Sequence, residues 1–360
     1  IEILYGATLL GAGGGGSLKQ GLDMIQGLKD DGEQIELDLL DVSEMRDDAY
    51  AVMVAGLGSP VAMLDPDMPR FGPDAVFAYR AFQKAFAAEG KKLEYLYSGE
   101  MGGFNTFTPM LVAILSDKDP AKRIKFVDAD GNGRAVPELN TTINAFYDHP
   151  PKPMGMGSLY GDEIIVYPTT DHSGEQIARQ MCMLYNMRIG FATWGMNKEE
   201  ITNILDVGCV TKAQKIGKAI LTAKETGSDV MDELKKAFEV REFCRGTIEK
   251  LDLRAEGGFD FGTTVIKGDD GHTYYIDFKN ENLILRDEKG DTIMTAPEGI
   301  GMIDLNNCFP LTNADTKEGM RVLVTMTPAH PNWWDEDHKA YTCWLPELKK
   351  VGMKGDQVRY

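Results

Sequence analysis

At 360 residues, with 43% hydrophobic and 26% charged side chains, the chain is long enough for two ordinary globular domains and too apolar for intrinsic disorder. Its 56 acidic against 38 basic residues give a formal charge of -18, which repels phosphate backbones and anionic lipid and argues against nucleic acid or membrane as a partner. Its 5 cysteines form no CxxC pair and its 5 histidines no HExxH or HxH pair, against a disulfide framework, a zinc knuckle or a histidine-built metal centre and for a reducing, cytoplasmic compartment.

Residues 1–10 are apolar but lack a basic n-region and a small-residue cleavage site, and they read as a helix rather than a signal peptide or a first strand. A glycine loop follows, Gly11-Ala12-Gly13-Gly14-Gly15-Gly16, and then a helix over 17–30 with Leu18, Leu22, Ile25 and Leu28 on one face. Strand-like runs are expected at 35–39, 50–55, 93–97 and 124–127, with a helix over 74–88 between two of them. The apolar stretch 50–64 is interrupted by Gly56, Gly58, Ser59 and Pro60, and no run approaches the roughly 18 apolar residues of a bilayer span.

Strands alternating with helices predict a three-layer α/β/α domain over 1–160, its sheet mostly parallel. In such sheets ligands sit outside the carboxyl ends of the strands. Three unusual loops are expected to converge there: 56–60, Ser98-Gly99-Glu100-Met101-Gly102-Gly103, and Asp128-Ala129-Asp130-Gly131-Asn132-Gly133. The Pro-rich patch 149–153 marks a boundary, and a mixed α/β domain is expected over 161–360. Its helical part, about 161–250, carries capping-box patterns at Ser173-Gln176 and Asn197-Glu200 and a helix over 209–223. From about 251 to 345 the texture turns to antiparallel strands, at 263–267, 272–278 and 283–286.

The glycine loop satisfies GxGxxG, but without a preceding strand or a clean ribose-binding acid, so NAD is disfavoured and a loop holding a phosphate-free ligand or making a tight turn is preferred. Residues 128–133 mimic the opening of a calcium loop, but Leu139 stands where a bidentate Glu is required and Pro137 interrupts the exit. Asp128, Asp130, Arg134 and Glu138 therefore read either as groups that bind a polar ligand and activate water or as a structural ion-pair network. Glu100 adds an acid and Asn105 an amide from the neighbouring loop, among the glycines at 102 and 103. Trp333-Trp334-Asp335-Glu336-Asp337-His338 reads as ordinary core and surface rather than a lid, and the cysteines as inert buried thiols.

In order and spacing, the glycine loop 10–16, the run Glu100-Met101-Gly102-Gly103-Phe104-Asn105 and residues 128–139 resemble the S-methyl thiohydantoin desulfurase family, formerly a domain of unknown function associated with hydantoinases and oxoprolinases. Glu256-Gly257-Gly258-Phe259, residues 276–283 and 328–333 look like its C-terminal domain. The resemblance implies an enzyme that acts on a thiohydantoin, such as an intermediate of ergothioneine breakdown, or a related cyclic imide, and releases sulfide. On that reading Asp128, Asp130 or Glu100 is the general base and Arg134 or loop N–H groups steady negative charge. Gly13, Gly14, Gly15, Gly16, Gly102, Gly103, Asn105 and Glu138 would contact the substrate, a small molecule. A divalent metal on the carboxylates, a non-catalytic subunit beside a hydantoinase, an NAD-dependent oxidoreductase and a homo-oligomer all remain open.

Overall fold

The computed structural model describes residues 1–58, 70–256 and 259–360. Ser59, Pro60, Gly257 and Gly258 of the motifs above lie outside the described residues. Two eight-stranded sheets organise the chain.

The first sheet takes β1 (Leu39–Leu40), β2 (Ala49–Gly58), β3 (Lys92–Ser98), β4 (Lys125–Asp130), β5 (Met154–Gly157), β6 (Glu163–Val166), β7 (Arg188–Met196) and β8 (Asp206–Val207). Their order is β1-β4-β3-β2-β7-β5-β6, with β8 beside β4. The pairs β1–β4, β4–β3 and β3–β2 are parallel, as expected from the helical crossovers between them. The other half is antiparallel, so the sheet is mixed rather than mostly parallel. A short connection joins β5 to β6, and a link that short permits only antiparallel pairing. Of residues 35–39 only Leu39 enters a strand, because β1 pairs with β4 through two residues alone.

Helices are α1 (Glu2–Leu10), α2 (Leu18–Asp30), α3 (Pro73–Ala88), α4 (Phe107–Ser116), α5 (Asp171–Leu184), α6 (Lys198–Ile204), α7 (Cys209–Thr226), α8 (Val230–Ala237) and α9 (Trp344–Lys350). They cover both faces of the first sheet. Alternating side chains divide β2: Val52 and Val54 enter a core with α1, α3, α4 and α7, whereas Ala51, Met53 and Ala55 enter a second core with α5, α6 and α9. Ser17 and Gln20 form a reciprocal cap that starts α2. The cap of α5 falls three residues before the expected one, since the Thr170 hydroxyl accepts from Ser173 N at 3.1 Å. Asn197 and Glu200 cap α6 as expected. No helix among the described residues is long and apolar enough to cross a membrane.

The second sheet is antiparallel throughout, built from β9 (Arg241–Glu256), β10 (Phe259–Gly268), β11 (Thr273–Lys279), β12 (Glu281–Arg286), β13 (Thr292–Thr295), β14 (Gly299–Asp304), β15 (Phe309–Leu311) and β16 (Arg321–Thr327). Ile303 and Leu323 from this sheet join the first core, and Leu283 and Ile284 join the second, so the two sheets share packing rather than touching at a rim. Trp333 is fully buried, its indole N–H donating to the Asn132 carbonyl at 2.9 Å, and it packs against Trp344.

Candidate functional site

The glycine loop joins α1 to α2, helix to helix, and is the seam between the sheets. Gly13, Gly15 and Gly16 have φ of 92°, 71° and 80°, a region open to glycine because it carries no Cβ. Two loop carbonyls face the second sheet: Ala12 O accepts from Asn282 N at 2.8 Å and Gly13 O from Asn313 N at 2.9 Å. On the other side Gly15 O accepts from Asn105 N at 3.0 Å and Gly16 O from Gly103 N at 2.9 Å. Gly102 packs on Gly15 and Gly103 on Ser17, so both glycines serve the close approach of two backbones behind the wall.

A cavity of about 570 Å³ opens along this seam, within the range of small-molecule sites. Gly13 to Gly16, the end of β2 at Gly56 to Gly58, Glu100 and Asn105 line it from the first domain. Phe259, Asp260, Asn280, Glu281 and Asn313 line it from the second. Arg179 and Cys182 from α5 complete the wall.

Of the three carboxyls in its described wall, Glu100, Asp260 and Glu281, the first and last interact most closely. Glu100 is fixed by Asn105, whose amide donates to it at 2.6 Å, and by Val136 N at 2.8 Å; Asn105 is itself oriented by accepting from Gly56 N at 3.1 Å. Burial pushes the Glu100 pKa up to about 7, although both hydrogen bonds and the nearby Arg134 charge pull it down. Glu281 was missing from the residues expected at the site. Asn280, in the left-handed region at φ 55°, turns the chain from β11 into β12 and delivers Glu281 against Gly14. It is 3% exposed, and its Oε2 has no hydrogen-bond partner among the described residues. Burial first, then the charge of Glu100, raises its pKa to about 8.

The other acids of the sequence motif lie elsewhere. Asp128 accepts from Val210 N at 2.9 Å and Thr211 N at 3.1 Å, and from the Thr211 hydroxyl, so it caps the start of α7. Asp130 is fully buried and closes its own turn by accepting from Asn132 N at 2.9 Å and Gly133 N at 2.6 Å; burial lifts its pKa to about 8. Arg134 spans the domain seam, donating to the carbonyls of Glu298 at 2.8 Å and Asn282 at 3.1 Å while lying over Trp344. Glu138 pairs with the buried Lys279, which also bridges to Glu347 at 2.7 Å. None of these four is among the side chains lining the large cavity.

Arg179 is the one cation in the described cavity wall, paired with Glu175 at 2.5 Å and stacked over Phe259 at 4.1 Å. Burial raises the Cys182 thiol to about 11, which leaves it protonated and a poor nucleophile near neutral pH. Among the described residues no three His, Cys, Asp or Glu side chains are grouped to hold a metal ion. A base held at a fixed angle beside a second carboxyl that stays protonated can move two protons in one site.

Fold and cavity together define a two-domain α/β protein with an acid pair on the domain seam. The chain belongs to the S-Me-THD-like family, whose N-terminal domain matches residues 1–168 and whose C-terminal domain matches 169–346. Similar solved structures include a protein from Chromobacterium violaceum determined by X-ray crystallography: 23% identity over 99% of this chain and 97% of that one, with a TM-score of 0.80. At that identity the likeness shows the fold. No curated protein matches the chain.

Proposed function

We propose that the protein is an enzyme that hydrolyses a carbon–sulfur bond on a thiohydantoin or a related five-membered cyclic imide, releasing sulfide. The observation that carries this reading is the placement of the half-buried Glu100 and the buried Glu281, whose charges interact, from the two domains onto one cavity sized for such a ring. Family membership supports the substrate class.

Glu100, ionised, takes a proton from water as its oxygen bonds to the ring carbon that bears sulfur. Glu281, protonated, donates to that sulfur as it gains electron density. As the intermediate collapses, the new hydroxyl returns its proton to Glu281, the C–S bond breaks, and the departing HS⁻ takes the proton held on Glu100. The sum is C=S plus water giving C=O plus hydrogen sulfide, and it needs no electron acceptor. Arg179 takes an anionic substituent of the ring, and Asn105 keeps Glu100 aimed.

The test is sulfide release from a thiohydantoin bearing a propionate, measured for the wild type, Glu100→Gln and Glu281→Gln. Sulfide from the wild type, with both variants down at least a hundredfold and still folded, is the expected result. No sulfide from any thiohydantoin and no methanethiol from any methylthio-substituted ring overturns the reaction; full activity in either variant overturns the assignment of roles.

A further inference from the structure

Behind Glu100 lies a second, smaller chamber of about 70 Å³. Gly56, Leu57, Glu100, Asn105, Val136 and Pro137 line both spaces, so the Glu100 carboxyl and the residues that fix it form a partition between them. Its far wall sets apolar Met53, Ala55, Leu139, Phe191 and Trp194 beside polar Asn132, Glu138, Thr142 and Glu175. At roughly 30 Å³ for each water-sized molecule, the chamber holds species of one or two heavy atoms and excludes a five-membered ring.

Trp194 distinguishes this chamber from a packing defect. It is 2% exposed, and its indole N–H has no hydrogen-bond partner among the described residues. Leaving such a donor unsatisfied in the interior costs about 1–3 kcal/mol. Its backbone is in the left-handed region at φ 54°, a conformation that costs a bulky residue of order 1–3 kcal/mol and collects at functional sites. The Tyr97 hydroxyl holds it there by donating to the Trp194 carbonyl at 2.7 Å. Thus a strained backbone and an unsatisfied donor coincide on the wall of a space reached past the general base.

We propose that this chamber receives the small reduced-sulfur product, hydrogen sulfide or a methylthiol, after it is split from the ring. The proposal rests on the reaction given above. Sulfur is weakly hydrated and polarizable, and it gains contacts against Met53, Phe191 and the Trp194 ring. The indole N–H is a single donor matched to the sulfur of a neutral thiol or hydrogen sulfide. Departure past the partition removes the leaving group from the carbonyl product, so the reverse attack of HS⁻ on the ring carbon is suppressed while the ring still fills the large cavity.

Sodium sulfide is the probe. In turnover assays it inhibits noncompetitively, lowering kcat with KM unchanged, because chamber and substrate cavity fill independently. Titrated into the free protein, it shifts the tryptophan emission, a signal absent in Trp194→Phe. That variant raises the inhibition constant roughly three- to tenfold, the worth of one hydrogen bond. Ala55→Val, which adds two carbons to the chamber, abolishes noncompetitive inhibition even if Trp194→Phe does not fold. Competitive inhibition, or no response of emission or rate to sulfide in an enzyme that releases it, overturns the chamber assignment. Sulfide binding at Trp194 without turnover of any thiohydantoin would instead remove the reaction and leave the binding site.

Discussion

Gly14→Ala isolates the placement of Glu281. Gly14 lies outside the left-handed region occupied by its neighbours Gly13, Gly15 and Gly16, so alanine suits its backbone and any effect is steric. A Cβ there would fall 2.6 Å from Cγ and 2.7 Å from Cδ of Glu281, with Oε1 closer still. Carbon atoms rest at about 3.5–4.0 Å, so the carboxyl must retreat by about 1 Å. Overpacking of this size costs about 1–3 kcal/mol of stability. A catalytic group misplaced by about 1 Å costs on the order of a hundredfold in rate. The expected result is a Tm lowered by a few degrees and kcat for sulfide release lowered on the order of a hundredfold, with KM little changed, read by calorimetry and by steady-state assays at one pH. A variant that loses the stability but keeps kcat within a few-fold of wild type would refute the role given to Glu281.

The pair also sets the pH profile. Activity rises as Glu100 ionises near 7 and falls as Glu281 ionises near 8, so kcat/KM should be a narrow bell whose two limbs belong to the coupled pair; a flat profile from pH 6 to 9 would contradict the assignment. Asp130→Asn separates the two readings of the 128–138 acids: turnover persists, and stability changes with pH. Because burial raises the Asp130 pKa from its ordinary value to about 8, its contribution is fully present below pH 4 and is lost as pH rises through 8. The variant should therefore melt higher than wild type at pH 9, and abolished turnover in a folded Asp130→Asn would return that residue to the active site. Asp128→Ala removes the cap of α7 and should cost about 1–2 kcal/mol in denaturant unfolding without moving the pH profile; an unchanged midpoint would refute the capping role.

Elements with strong local signals were legible. The apolar period over 17–30, the Asn197-Glu200 cap and the apolar run of β2 each encode structure within one segment, and each is where it was expected. The antiparallel half of the first sheet was not, because β5, β6 and β8 are two to four residues long, and β5 and β8 are tied into the sheet by β7 and β4, which are distant in sequence. The sixteen-residue β9 went unread for a similar reason: many of its side chains are polar and exposed, and its pairing with β10 and β16 makes it a strand.

The site was half legible, and the reason is physical. Residues 128–138 collect acids and a guanidinium in one short run, which resembles catalytic chemistry, yet a strand end that must start α7, close a turn and clamp the second domain needs those same groups. Local density of charge is a poor discriminator when backbone N–H and C=O groups at a domain seam must be satisfied. Asp130 Oδ2 is likewise buried without a partner, so what distinguishes Glu281 is that its unpartnered oxygen belongs to an acid of the large cavity's wall, a statement about surroundings which no run of residues contains. A trace of it was present in Lys279-Asn280-Glu281-Asn282, where an acid and two amides interrupt β-forming residues at a turn. The glycine loop joins the two halves. Gly14 leaves room for Glu281, and the Gly15 carbonyl accepts the backbone N–H of Asn105, the residue that holds Glu100. The loop thus brings an acid from each domain to one cavity, and displacing it should uncouple them before it unfolds either sheet.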